Sequence, residues 1–295
     1  MKKEFGFLIL NYLNYEDTIE LVKNLKSQKW FDQINLYVVD NNSHNNSVLE
    51  IEKIQKKIDF TFLKSERNAG FAIGENIAFT KAIEDECQFI VSINNDTLID
   101  NSQVKFLDKI KEIFNEDRDI GLITIDIKNL DGKRQNPLKE KPPSLYKVII
   151  LKLFFGLYMY KVYYLLRVYL LHYFANLYVE LRNFYKSKKN INPTLLKSRY
   201  IYAAQGSFIC FTPSFLKYFS GHNESTFLFF EEYIRAEELI DKGLKTWLEM
   251  DLSIIHKESK SIAMVAKTKK TRLIFLLKNM FQSGKIYAKI LKIRK

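Results

Sequence analysis

Over its first hundred residues the chain alternates short β-rich runs with amphipathic helical patterns, and this alternation limits the folds open to it. The run Phe5 to Leu10 precedes a helical pattern near 16–28, with Ile19, Val22 and Leu25 on one face. Leu36 to Val39, a helix near 47–57, Phe60 to Leu63, a helix near 70–85 and Phe89 to Ile93 continue the rhythm. Strands separated by helices imply a largely parallel sheet covered on both faces. The ligand crevice of such a sheet lies at the carboxyl ends of its strands.

Each of these strands runs into polar residues. Asn11-Tyr12 follows the first, Asp40-Asn41-Asn42-Ser43 the second, Arg67-Asn68-Ala69-Gly70 the third and Asn94-Asn95-Asp96-Thr97 the fourth. Any one of these clusters has the composition of a turn or a helix cap. Four in phase converge on one edge of the sheet and mark that edge as a site.

With 295 residues, 47% of them hydrophobic, the chain can bury one sizeable core or two small ones, and wholesale disorder is excluded. Cys87 and Cys210 each lie in an apolar run, and no Cys or His has zinc-ligand spacing, so both read as core residues. After Met1-Lys2-Lys3-Glu4, the run Phe5 to Asn11 is too short for a signal peptide, and a cytoplasmic start is expected.

The formal charge of +12 is unevenly spread. Residues 141–202 hold eleven Lys/Arg against one acid (Glu180), and residues 267–295 hold ten against none, so the rest of the chain is net acidic. Val148 to Val179 is rich in Leu, Tyr and Phe but is interrupted by Lys152, Lys161, Arg167 and His172. Its longest stretches between these interruptions are eight and seven residues, against about twenty for a spanning helix. An interfacial helix and a helical hairpin packed on the body or on a second subunit both fit. Lys267 to Lys295 repeats the chemistry. Peripheral attachment to the inner face of the plasma membrane through 145–190 and 267–295 is expected; a solvated basic tail and a homodimer contact would show the same composition.

At the crevice, a carboxylate at Asp40 can accept a hydrogen bond from the N3–H of uracil or thymine, which selects against cytosine without separating UDP from dTDP. Asn94, Asn95 and Asp96 place one carboxylate among amide oxygens, a donor set suited to Mg²⁺ or Mn²⁺ completed by water and a diphosphate. A capping Asp would show the same pattern.

Phe7-Leu-Ile-Leu-Asn-Tyr12 with Glu16-Asp-Thr18, Val38-Val-Asp-Asn-Asn-Ser43, Arg67-Asn-Ala-Gly-Phe71 with Asn76, and Asn94-Asn-Asp-Thr97 together resemble, in order and spacing, the donor half of family 2 glycosyltransferases of the rhamnosyltransferase-like group. The resemblance implies a GT-A (Rossmann-like) α/β fold: a mostly parallel central sheet with helices on both faces, here with an inserted aromatic helical segment and a basic C-terminal helix. It implies that Tyr12 and Asp40 contact the base, that Arg67, Asn68 and Asn95 lie near the nucleotide sugar, and that Asp96 holds a metal. Asn94 replaces the first Asp of the family's Asp-x-Asp motif, and Leu13 replaces the usual Asn.

Residues 203–211, Ala-Ala-Gln-Gly-Ser-Phe-Ile-Cys-Phe, resemble the family's strand beside the donor sugar, with Gly206 where a side chain would obstruct the ligand. Phe227-Leu-Phe-Phe-Glu-Glu-Tyr233 resembles the segment carrying its acid pair. Adjacent helical side chains diverge by about 100°, so only one acid faces the acceptor. Glu231 has Arg235 four residues on as a surface or structural partner, and Glu232 is expected to be the catalytic base. Glu238 stands where the family usually has Arg. His256, with Ser261 five residues later, resembles an element near the diphosphate or metal, with Ser259 in place of a Gly.

The expected organisation is a donor-binding half at 1–140, an inserted basic aromatic segment at 141–199, an acceptor half at 200–266 and a basic amphipathic tail at 267–295. The expected function is inverting, metal-dependent transfer of a sugar from a UDP- or dTDP-sugar to a hydroxyl of a glycan acceptor, lipid-linked, in bacterial surface polysaccharide synthesis, without a nucleic-acid partner. A sugar-nucleotide nucleotidyltransferase needs a Gly-rich basic loop, which residues 8–18 lack. The same residues would also suit a non-catalytic nucleotide- or membrane-binding protein, or a basic nucleic-acid-binding surface on a catalytically silent body.

Overall fold

The computed structural model describes residues 3–173, 197–258 and 269–292. Ser259 and Ser261, and residues 174–196 of the basic aromatic segment, lie outside them. The donor half is built from β1 (Phe5–Asn11), α1 (Tyr15–Lys26), β2 (Ile34–Asp40), α2 (Ser47–Gln55), β3 (Thr61–Lys64), α3 (Phe71–Glu84) and β4 (Phe89–Ile93), each element close to its expected place. Next come β5 (Thr97–Ile99), α4 (Phe106–Glu116), β6 (Ile120–Lys128), α5 (Leu145–Gly156) and α6 (Met159–Tyr173). The described chain ends with β7 (Arg199–Ile201), β8 (Phe208–Phe211), α7 (Pro213–Leu216), α8 (Glu231–Asp241), β9 (Lys245–His256) and α9 (Lys269–Ile290).

Among the described residues the strands form one sheet in the order β3-β2-β1-β4-β8-β6-β9-β5, with β7 alongside β9. The strands β3, β2, β1 and β4 are mutually parallel. An antiparallel β8 sits between β4 and β6 and returns β6 and β9 to the first direction.

The period of two along each strand divides the interior. Phe5, Phe7 and Ile9 of β1 join one core with Leu21, Leu25, Ile51 and Ile110 from α1, α2 and α4. Leu8 points the other way and joins Phe79 and Ala82 of α3 with Phe211 and Phe215. Burial on both faces explains why these strands read as continuous apolar runs rather than alternating ones. Both cysteines are buried and free, as core residues.

The two basic segments, far apart in sequence, meet in a third layer. Phe155 of α5 packs with Leu277, Phe281 and Ala288 of α9, and Gly284 makes room: a Cβ there would meet Phe155 Cζ at 2.6 Å. Val148, Ile234, Tyr287 and Leu291 fasten this layer to α8. The C-terminal basic segment, expected as a basic amphipathic helix, is a 22-residue helix docked on the body through residues 277–291. Its apolar residues had a facing partner in α5 that no local pattern announces. Among the described residues no single helix is long and apolar enough to cross a membrane, and α5 and α6 meet at a 78° bend beside Tyr158, whose φ is +56°.

Candidate active site

The parallel register pairs Asn11 with Asp40 at the carboxyl ends of β1 and β2. Asn11 Nδ2 donates to Asp40 Oδ1 at 2.7 Å and the Ser43 N–H donates to Oδ2 at 2.9 Å. The Thr18 hydroxyl donates to Asn11 Oδ1 at 2.8 Å and accepts from Asn95 Nδ2 at 3.0 Å. A buried polar chain thus runs from Asp40 through Asn11 and Thr18 to Asn95, tying three strand ends into one edge.

Beside this chain lies a cavity of about 630 Å³, within the range of small-molecule sites. The structure brings Tyr12, Asn68, Asn94, Asn95, Asp96 and His256 together on its wall, along with Asn41 and Glu75. Leu10, Phe71, Ile93, Phe227, Leu228 and Phe275 of α9 supply its apolar surface.

Asp40 does not line this cavity. It is 1% exposed and both its oxygens are engaged. The acceptor available in that corner is its neighbour: Asn41 donates through Nδ2 to Asn68 Oδ1 and to the Gly70 carbonyl, both at 3.1 Å, and leaves its buried Oδ1 without a partner. Arg67 is exposed on the β3–α3 loop and is also absent from the cavity wall. The Asn95 amide is directed inward, donating to the Asn14 carbonyl and to Thr18, so it braces the loop as well as facing the cavity.

Asp96 and His256 come together because β5 runs antiparallel to β9, with Thr97 opposite His256. His256 Nε2 lies 3.2 Å from Asp96 Oδ1. Gln135 sets the ring: its Nε2 donates to Glu258 Oε1 at 2.5 Å, which turns its oxygen to His256 Nδ1 at 2.7 Å. An amide oxygen only accepts, so Nδ1 carries a proton, and in the neutral ring the Nε2 lone pair faces Asp96. Two lone-pair donors this close, one imidazole and one carboxylate beside the Asn94 side chain, suit a divalent cation. Among the described residues no three His, Cys, Asp or Glu side chains converge, so a cation here would take its remaining ligands from amide, water or substrate oxygens.

The acid pair starts α8. Phe229 and Phe230, immediately before it, have φ of +74° and +70°, a left-handed conformation that costs bulky residues energy and clusters at functional sites. Packing fixes this turn: the Phe71 N–H donates to the Phe227 carbonyl at 3.3 Å, and Ser283 Oγ of α9 donates to the Leu228 carbonyl at 2.8 Å. Burial and the adjacent Glu232 charge push the Glu231 carboxyl up to about 7, and its Oε1 is buried without a hydrogen-bond partner. Burial also raises Glu232, against which the Gly206 N–H supplies a stabilising hydrogen bond.

Glu232 lines a small pocket between β8 and α8 rather than the main cavity. It remains next to the Asp96 loop, because the Asn94 N–H donates to the Ser207 carbonyl at 3.0 Å and Gly206 abuts Glu232. The reason for Gly206 therefore differs from the one expected: an added Cβ would meet Glu232 Oε1 at 2.9 Å, so the glycine makes room for the acid.

Arg235 is not a surface partner of Glu231. It is 5% exposed, lies over the Phe211 ring with its guanidinium carbon 5.3 Å from the centroid, and places Nη2 2.5 Å from His222 Nδ1. His222 Nε2 in turn lies 2.6 Å from Glu75 Oε2. The Arg235 charge acts on Glu75, Glu231, Glu232 and Glu238 together. Glu238, raised by burial, accepts from Asn223 Nδ2 at 2.6 Å.

Sequence reasoning passed over Glu75 and His222. The signal for Glu75 was present: with Ala72, Ala78, Phe79 and Ala82 it falls on the buried stripe of α3, where a charge needs a partner. A lone His in a loop carries no such signal.

The sheet order, the Asp96–His256 pair where the ends of β4 and β9 meet and the acid-bearing helix beyond β8 describe an α/β fold of the GT-A glycosyltransferase type. A family model described as glycosyl transferase family 2 matches residues 7–174, more than half of the sequence, and the chain belongs to that family.

No curated protein matches it. Among solved structures it is similar to the 1–349 fragment of S. aureus TarS, with a TM-score of 0.53 at 14% identity over 93% of this chain and 65% of that one. The same fragment in complex with UDP-GlcNAc gives 0.55 at 14%, over 93% and 66%. The mannosyltransferase PcManGT from Pyrobaculum calidifontis, in complex with GDP-Man and Mn²⁺, gives 0.52 at 12%, over 98% and 74%. The chain thus spans about two thirds of the TarS fragment, and at these identities the likeness is one of fold.

Proposed function

We propose that the protein is an inverting glycosyltransferase that moves a sugar from a UDP- or dTDP-sugar to a hydroxyl of a lipid-linked glycan acceptor in bacterial surface polysaccharide synthesis. The observation that carries this reading is the Asp96–His256 pair on the wall of a nucleotide-sugar-sized cavity, joined through Ser207 and Gly206 to a half-buried acid. The motif set supports the rhamnosyltransferase-like group as its place within the family.

In this reading Tyr12 packs on the base and the unpartnered Asn41 Oδ1 accepts the base N3–H, while Asp40 holds the loops that present them. Asp96 and His256, with Asn94, would hold Mg²⁺ or Mn²⁺, and when bound the cation neutralises charge on the departing diphosphate. Glu232 removes the proton of the acceptor hydroxyl during in-line attack, a contribution of about 10²- to 10⁴-fold. Burial is what raises its affinity for that proton. TarS in complex with UDP-GlcNAc and PcManGT in complex with GDP-Man and Mn²⁺ support the choice of donor class and metal.

The exposed apolar residues of α5 and α6 support a lipid surface as the partner. Leu145, Tyr146, Ile149, Ile150 and Leu153 on α5, and Met159, Val162, Leu165, Leu166 and Tyr169 on α6, lie open to solvent beside exposed Lys147 and Lys161. That combination fits an anionic leaflet on the cytoplasmic side, where lipid-linked acceptors would be met. Flotation with phosphatidylglycerol vesicles and not with phosphatidylcholine alone is the expected result.

The direct test of the enzymatic reading is to incubate the purified protein with UDP- and dTDP-sugars and Mn²⁺ or Mg²⁺ and follow nucleoside diphosphate release. Slow, metal-dependent hydrolysis of one donor is expected. Failure to bind or hydrolyse any member of the panel would remove the reading.

A further inference from the structure

The sheet order assigns a place to each part of a donor, given the reading of the main cavity as the donor site. Tyr12 and Asn41 follow β1 and β2, so the base lies over those strand ends, and the diphosphate lies at Asp96 after β4. The sugar must then extend past β4 towards β8 and the acid helix. On that side the cavity wall includes Ile93, Asn94, Leu228 and Glu75.

Glu75 is 1% exposed. The Ser92 hydroxyl, on β4, lies 2.8 and 2.9 Å from its two oxygens, and a single hydroxyl proton cannot saturate both. His222 reaches Oε2, and the ring of His222 is held edge-on by Phe71, Phe79 and Phe211, with centroids 5.6, 5.9 and 5.2 Å away. Because Arg235 occupies Nδ1, the proton of a neutral His222 is on Nε2, which lies close to Glu75 Oε2 without hydrogen-bond geometry to it. The carboxylate is therefore held by Ser92, with the His222 ring packed beside it, and retains acceptor capacity.

We infer that Glu75 is the specificity residue for the donor sugar, accepting hydrogen bonds from hydroxyls of a neutral hexose and excluding uronic acid donors. A fixed buried acceptor is satisfied only by a group that donates, and a site built for a hydroxyl discriminates strongly against a ligand that cannot supply one. A second carboxylate beside Glu75 would meet like charge, with Arg235 already shared among four acids. A nucleoside diphosphate without its sugar does not reach this end of the cavity.

Calorimetry separates this inference from the reading on which it rests. With Mn²⁺ present, UDP, dTDP, UDP-glucose, UDP-galactose, UDP-N-acetylglucosamine and UDP-glucuronate are titrated into the wild type and into folded E75Q. The expected result is that E75Q weakens the tightest-binding neutral UDP-sugar by about 10-fold or more while the Kd for UDP changes less than about twofold. In the wild type alone, whatever the folding of the variant, UDP-glucuronate should bind at least about 10-fold more weakly than UDP-glucose. Equal losses for UDP and UDP-sugar in E75Q, no loss in either, or equal affinity for the glucose and glucuronate donors overturns the inference and leaves the donor site standing. Absence of any nucleotide binding removes both.

Discussion

Gly206 and Glu232 occupy adjoining space at the start of β8 and the start of α8. A Cβ on Gly206 would lie 2.9 Å from Glu232 Oε1 and 3.7 Å from its Cγ and Cδ, while the Gly206 N–H donates to the same carboxylate. The glycine both admits the acid and helps to hold its charge. Since the clash involves the free end of a flexible side chain, Gly206→Ala should displace the carboxylate and leave the backbone where it is. Transfer is expected to fall by about 10-fold or more with a stability change under about 1 kcal/mol, measured by kcat and thermal melting. Full activity would show that Glu232 does not act from this position.

For the proton transfer itself, Glu232→Gln keeps the shape of the site and removes the base. Nucleoside diphosphate affinity should be unchanged while kcat falls by about 10²- to 10⁴-fold. An active Glu232→Gln enzyme would refute the assignment.

Asp96→Ala removes the carboxylate from the Asp96–His256 pair. The metal-dependent part of donor binding should disappear in calorimetry with and without Mn²⁺, and Gln135→Leu, which frees the His256 ring, should weaken it by about 10-fold. Unchanged metal dependence in Asp96→Ala would reject the metal role.

Glu231 links the site to stability. Its carboxyl is raised from 4.5 to about 7 by burial and by Glu232, so the folded state holds a proton that the unfolded state has released between those values. Where the folded state binds more protons, stability falls as pH rises. The chain should therefore lose stability on going from about pH 4.5 to about pH 7, and Glu231→Gln should flatten that slope. Chemical denaturation across the window measures both.

Gly70 is a purely structural test of the same wall. Its φ is +95°, and a Cβ would meet the Phe227 carbonyl oxygen at 2.5 Å, backbone against backbone. Neither partner can yield cheaply, so Gly70→Ala should cost about 2–3 kcal/mol, read as a fall in denaturation midpoint.

Much of the donor half was legible in the sequence because its information is local. The apolar runs of β1, β2 and β4 and the facial periodicity of α1 and α3 repeat over a few residues, and the polar clusters mark the strand ends directly. The placement of Tyr12, Asn68, Asn94, Asp96 and His256 on one cavity follows from strands whose ends share an edge. The division of labour within that edge was not legible. Whether Asp40 or Asn41 presents a free acceptor depends on which side chain Asn11 reaches across the register, and nothing in the run Asp40-Asn41-Asn42 records it.

The amino-acid sequence by itself determined the α/β architecture, the edge on which the site lies and the residue types available there, since periodicity and composition act over one or two turns of chain. Tertiary structure alone decided that Arg235 serves His222 rather than Glu231, that Gly206 accommodates Glu232 rather than a ligand, and that two distant basic segments join into one layer. Those outcomes rest on contacts between residues 13 to more than a hundred positions apart, and on the desolvation those contacts impose, which no local pattern encodes.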